Sequence, residues 1–153
     1  MSLLTVRIFI NAMEVSDDVT GLVGDRIYPV AVPGSDEDFE KTPLPYIVVG
    51  YSGPVNDPDI KDDIWEGETD KEQIHVLVVA EDIDQLAELE DKVRKAVCAY
   101  FDSLHPGEPD YGLLPDNGIS VQGDTVQYNP WKPDYSHTLT YQCETKNTTY
   151  EQD

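Results

Sequence analysis

Between Gln73 and Phe101 the hydrophobic period changes from two to three or four, and that change constrains the fold more than any other stretch. Ile74, Val76, Val78 and Ala80 alternate, which places them on one face of a strand, while Leu77 and Val79 make the opposite face partly apolar. A strand apolar on both faces belongs inside a sheet. From Ile83 the apolar positions become Ile83, Leu86, Leu89, Val93, Ala96, Val97, Tyr100 and Leu104, one stripe along a helix of roughly five to six turns. Asp82 is placed to cap its first turn and Gln85 to complete a capping box. Glu88 with Lys92, Glu90 with Arg94 and Asp91 with Lys95 set an acid four residues before a base and mark the solvated side. Pro106 and Gly107 end the helix.

The strand and helix need partners, and the rest of the chain supplies them within one domain, residues 1–153. Hydrophobic residues make up 39% of it, enough for a core. Along Ser2 to Met13 the apolar residues fit a helix (3, 6, 10, 13) and a strand (4, 6, 8, 10) almost equally, and β-branched content favours the strand. The polar run Ser16-Asp17-Asp18 and the following Val19, Leu22 and Val23 suggest a helix end and a tight turn at Gly24. Ile27 and Tyr28 begin a short extended piece that Pro29 confines to an edge. Arg26, amid Asp17, Asp18, Asp25 and Glu37, reads as the base of a structural ion pair. Residues 33–43 read as an acidic loop, and Pro43-Leu44-Pro45 straightens the chain into a strand at 47–51.

Residues 52–71 combine Pro54, Pro58, Gly53 and Gly67 with seven Asp or Glu and read as a long acidic excursion. Within it, Ile64 and Trp65 either anchor the loop on its own sheet or meet a partner. After the long helix a Pro and Gly loop over 105–118 leads to Ile119 and Val121. A strand through Tyr128 is interrupted near Gly123-Asp124, by a bulge or a hairpin. The loop Asn129-Pro130-Trp131-Lys132-Pro133-Asp134-Tyr135 precedes a last strand, Ser136 to Thr145, with Leu139, Tyr141 and Cys143 on one face, and 146–153 is a frayed tail.

Charge narrows function. Thirty-one acids against ten Lys and Arg give a formal net charge of −21, with no basic cluster to neutralise phosphates or anionic lipid, so nucleic-acid and membrane binding are disfavoured. The first residues carry only Arg7 as a base and no small-residue cleavage site, and no run reaches the length of a membrane span; the expectation is a protein without export signal. Cys98 and Cys143 belong to no CxxC pair and read as two buried thiols in a reducing setting. Asn147-Thr148-Thr149 is then a chance sequon.

No nucleophile, phosphate-loop or metalloprotease motif occurs. His75, His105 and His137 are scattered and read as structural residues. Asp57, Asp59, Asp62 and Asp63 lack the spacing and glycine of a calcium loop and read as a solvated surface. The expectation is therefore a protein that is not an enzyme, with no cofactor and no metal.

In order, the chain offers an apolar N-terminal segment, Gly24-Asp25-Arg26-Ile27-Tyr28-Pro29, Leu44-Pro45-Tyr46-Ile47-Val48-Val49, a strand, the helix from Asp82 to Phe101 and two closing strands. Over roughly residues 3–145 this order resembles the bacteriophage tail-completion proteins, the tail terminators of the head-tail joining type often encoded by prophages. The resemblance implies an α+β subunit: an antiparallel four- to five-stranded sheet packed against one long helix and a shorter N-terminal helix. It implies a structural role, a homo-oligomeric ring, hexameric, that caps the tail tube and joins it to the head connector. Its partners would be itself, the tail tube protein and the head-tail connector protein, with DNA passing through unrecognised. Its place would be the virion tail, and the bacterial host cytoplasm during assembly. The chain departs from the family in the insertion at 52–71, in the Pro-Trp-Lys-Pro loop and in its ambiguous first segment. Trp65, Ile64, Trp131, Lys132, Tyr135 and Arg26 are the expected partner-interface residues. A monomeric acidic module that masks a basic protein partner is the alternative, since charge alone would suit it.

Overall fold

The N-terminal segment resolves as a helix. In the computed structural model, which describes residues 2–31, 42–56, 67, 69–108 and 115–146, α1 spans Ser2–Glu14. It buries Val6, Phe9, Ala12 and Met13, at helical spacing. The strand reading would have buried Leu4, which is 42% exposed. Tertiary packing decides between two periodicities that the segment carries equally: Phe9 lies between the rings of Phe101 (centroids 5.6 Å apart) and Tyr141 (5.2 Å).

A second helix, α2 (Asp17–Val23), begins where the sequence suggested only a helix end. Ser16 caps it by accepting a hydrogen bond from the Val19 amide at 3.4 Å, and Asp17 and Asp18 face its positive end. Gly24 closes it at φ 60, the conformation a glycine supplies most cheaply. The long helix, α3, runs Ile83–Ser103 and buries Leu86, Leu89, Val93, Ala96 and Val97. Asp82 accepts from the Gln85 amide at 2.7 Å, and Gln85 reaches back to the Glu81 amide at 2.9 Å. Ile83, counted in the apolar stripe, is 49% exposed because it precedes the first turn that touches the sheet.

Six strands form one sheet: β1 (Ile27–Pro29), β2 (Tyr46–Val55), β3 (Thr69–Ala80), β4 (Pro115–Gly123), β5 (Gln127–Asn129) and β6 (Asp134–Lys146). Their order is β1-β2-β3-β6-β4, with β5 pairing the N-terminal end of β6 and β4 its later part. The fold is α+β, with two differences from expectation. The sheet has six strands, because the pieces on either side of Asp124 pair separately with β6. One pair is parallel, β1 with β2, since the intervening residues are numerous enough to bring the chain back to its starting end. The paired strands also extend to Val55 and from Thr69, so the flanks of the 52–71 stretch are sheet. A register shift between Ser52 and Val55 falls at Gly53, φ 119, where a Cβ would come within 3.0 Å of the Lys71 carbonyl.

The three helices among the described residues cover one face. Ile47 and Val49 of β2, Ile74, Val76 and Val78 of β3, and Leu139 and Tyr141 of β6 meet them in the main core. Across the sheet Tyr46, Val48 and Val79 form a second cluster with Tyr28, Leu44 and Leu77. The central strand is thus apolar on both sides, as its sequence requires.

Candidate functional site: the outer sheet face, the hairpin tip and the edge groove

The β5–β6 hairpin carries three of the expected interface residues and separates their roles. Asn129 accepts a hydrogen bond from the Trp131 amide at 3.1 Å, which fixes the tip, and Trp131 projects from it 93% exposed. Tyr128 and Val126 are exposed on the same hairpin. Lys132 turns inward instead. Its Nζ sits 4.8 Å over the Tyr46 ring, donates to Tyr46 Oη at 3.4 Å and lies 4.0 Å from Asp134 Oδ2, with both charged side chains almost fully enclosed. Burial, then the neighbouring Asp134, pushes the Tyr46 phenol up to about 12. Burial likewise raises the Asp134 carboxyl, which Lys132 partly offsets. Tyr135 is half-buried, its ring 4.8 Å from that of Tyr128 and its flank on the main core. Lys132 and Tyr135 therefore hold the hairpin to the sheet, and Trp131 is the residue they present.

Arg26 is also committed internally, to carbonyls rather than to the acids around it. Its Nε donates to Pro45 O at 3.0 Å and a terminal nitrogen to Leu22 O at 3.4 Å, tying the end of α2 to the start of β2. The ion-pair expectation is not met among the described residues, where the guanidinium hydrogen bonds go to backbone carbonyls. Ile64, Trp65 and the aspartates 57, 59, 62 and 63 lie outside the described residues. Asn56 defines the neck of that stretch: its amide nitrogen donates to Gly67 O, Thr69 O and Asp70 Oδ1, and its oxygen accepts from the Gly67 amide at 2.7 Å.

Two polar networks escaped sequence reading. Glu72, buried on the helix-facing side, accepts from Thr5 Oγ1 at 2.7 Å, Tyr51 Oη at 2.9 Å and Thr145 Oγ1 at 2.8 Å. It joins α1, β2 and β6. The signal was present: the parity that turns Ile74 and Val76 inward turns Glu72 inward too. On the outer face Ser52 Oγ lies 2.9 Å from His75 Nε2, and His75 Nδ1 is 3.1 Å from Thr140 Oγ1, a polar ladder across three strands. Its third member is a hydroxyl, where a catalytic triad would need a carboxylate to orient the ring. His137 pairs with Glu90 and with the Asp124 carbonyl, which diverts Glu90 from the expected Arg94 pair. Glu88–Lys92 and Asp91–Lys95 form as expected, each at 2.8 Å.

Cys143 is buried, its thiol pushed up to about 12 by burial and by Glu72, whereas Cys98 is exposed, against expectation. It falls beside the stripe, one step past Val97 toward solvent. Among the described residues no three His, Cys, Asp or Glu side chains converge as metal ligands, and no helix is long and apolar enough to cross a membrane.

The class these features define is an α+β sheet-and-helix fold whose exposed features among the described residues are an aromatic tip and sheet edges. No family model and no curated protein matches the sequence. Among solved structures, the chain is similar to one chain of the virion of a native gene transfer agent particle, at TM-score 0.49 and 13% identity, over 93% of this chain and 94% of that one. A second solved chain gives a TM-score of 0.41 at 14% identity, over 95% and 98%.

Proposed function

We propose that this chain is a virion structural subunit of the tail-completion kind. It works by assembly: copies form a ring that caps the tail tube and meets the head connector, and no reaction is catalysed. The observation that carries the reading is a pair of unlike sheet edges left open among the described residues. One is β4; the other is formed by β1 and, beyond Val49 where the pairing with β1 stops, by β2 itself. Unlike edges on opposite sides of a subunit are what head-to-tail closure around an axis needs. The order of elements that resembles the tail terminators supports the same reading, as does Trp131, exposed where a docking partner would cover it.

Charge fits this role. A net charge of −21 suits a ring through which DNA must slide, because like charges prevent the phosphate contacts that would stall it. Electron microscopy of particles assembled with and without the chain tests the reading. Loss of joined, length-controlled tails in its absence is expected, with a ring at the head-proximal end when it is present. Normal joined particles without it overturn the proposal, and a monomer captured by a basic protein would favour the masking module instead.

A further inference from the structure

The edge beside β6 is interrupted by one extra residue, and His137 sits at the interruption. β4 ends with Gly123 opposite Leu139 and β5 begins with Gln127 opposite Ser136, so residues 124–126 stand across from only His137 and Thr138, the arrangement of a bulge. The Asp124 amide still donates to the Thr138 carbonyl at 3.0 Å, but the Asp124 carbonyl is turned to the imidazole and lies 2.5 Å from Nε2. On the other side of the ring, Nδ1 meets the Glu90 carboxylate of α3. Gly123 lies so close that a Cβ there would come within 3.0 Å of Cε1, and the His137 side chain is 14% exposed, so the ring has little room to turn away. The other elements around it leave these two contacts undisturbed. β3 sets Val78 across from His137, the Asp124 carboxylate accepts from the Thr125 amide at 2.7 Å, and Arg94 stands one turn beyond Glu90 on α3.

Both ring nitrogens therefore face acceptors. A neutral imidazole donates from one nitrogen only, whereas an imidazolium donates from both. We propose that His137 is a proton-operated latch: as imidazolium it ties the bulge at Asp124 to α3, and loss of one ring proton releases one of the two bonds and loosens residues 124–126, the joint through which β4 leads into the Trp131 hairpin. If the proton leaves Nδ1, a lone pair is turned against the Glu90 carboxylate; if it leaves Nε2, a lone pair is turned against the Asp124 carbonyl. Either contact is repulsive. The sign follows from the geometry. The latch is closed in acid and opens as pH rises through the range in which histidines discharge. The inference concerns the joint itself and is independent of what the hairpin tip meets.

Amide hydrogen exchange of the full chain, followed by NMR between about pH 5 and about pH 8 and corrected for the intrinsic pH dependence of exchange, provides the test on wild type, Glu90→Gln and His137→Phe. In wild type the protection of the Asp124 amide should fall about tenfold across that range while the Val78 amide, in the centre of the sheet, keeps its own. Glu90→Gln should hold the Asp124 protection within about twofold at both ends, because a side-chain amide can either accept from the charged ring or donate to the neutral one. His137→Phe should show the low protection at every pH. Ring nitrogen spectra of wild type should show both nitrogens protonated at the acid end. Protection at Asp124 that stays flat with pH in wild type overturns the latch, and so does a fall in Glu90→Gln as large as that in wild type, since the titrating contact would then lie elsewhere.

Discussion

At the residue scale, Glu72 shows how a fold accommodates a carboxylate in its core. Its hydrogen bonds come from three hydroxyls on three elements, so truncation removes an acceptor from all three at once. Glu72→Ala should cost about 3 kcal/mol in urea unfolding, and Glu72→Gln, which keeps one acceptor oxygen, about 1 kcal/mol. Equal costs would mean that side-chain volume, not the hydrogen bonds, matters there. The buried phenols give a pH dependence. Tyr46 and Tyr141 are both raised from 10.0 to about 12, so the folded chain keeps protons that the unfolded chain releases. The sign follows: the stability is fully present below pH 10 and is lost as pH rises toward 12. Cys143, raised from 9.0 to about 12, acts in the same direction and starts the decline earlier. Urea midpoints recorded from neutral pH upward should fall across that window, and less steeply in Tyr141→Phe; a flat profile would contradict the burial of these groups.

At the element scale, α3 provides the clearest test of the core. Leu89 and Val93 are fully buried against the sheet, and Leu89→Asp or Val93→Asp puts an unpaired charge there, a loss of more than about 4 kcal/mol. Circular dichroism should show an unfolded chain at room temperature; a folded one would mean that the helix can lift from the sheet. The neck at Asn56 predicts something more local. Its four hydrogen bonds hold the ends of β2 and β3 together, so Asn56→Ala should raise amide exchange at 52–56 and 69–71 while leaving the centre of β3 protected. Uniform exchange along β3 in the variant would show that the strand ends hold without the clasp.

At the scale of the whole molecule, the helices take one sheet face, and the hairpin tip and sheet edges stay uncovered among the described residues. Trp131 belongs to the tip and touches little of its own chain, so Trp131→Ala should leave the urea midpoint unchanged within about 0.5 kcal/mol and reduce the yield of joined particles. Full yield with Trp131→Ala would remove the tip from the assembly surface. Lys132→Ala makes the useful contrast, since it unseats the hairpin through Tyr46 and Asp134 and should lower stability itself.

The alternation from Ile74 to Ala80, the stripe from Leu86 to Val97, the Asp82 cap and the Gly24 turn were all legible, because each rests on contacts between residues a few positions apart. The same parity, carried back two residues from Ile74, also contained Glu72. Other features could not be read, and the reason is common to them. Whether Ser2 to Glu14 coils or extends depends on a site for Phe9 between Phe101 and Tyr141, and whether β1 runs parallel depends on where the chain re-enters the sheet. Arg26 chose carbonyls over acids, and Glu90 chose His137 over Arg94, because folding set those partners nearer than the local ones. Periodicity determined which residues would be buried; the meeting of distant segments decided against what, and so left Trp131 exposed at the hairpin tip.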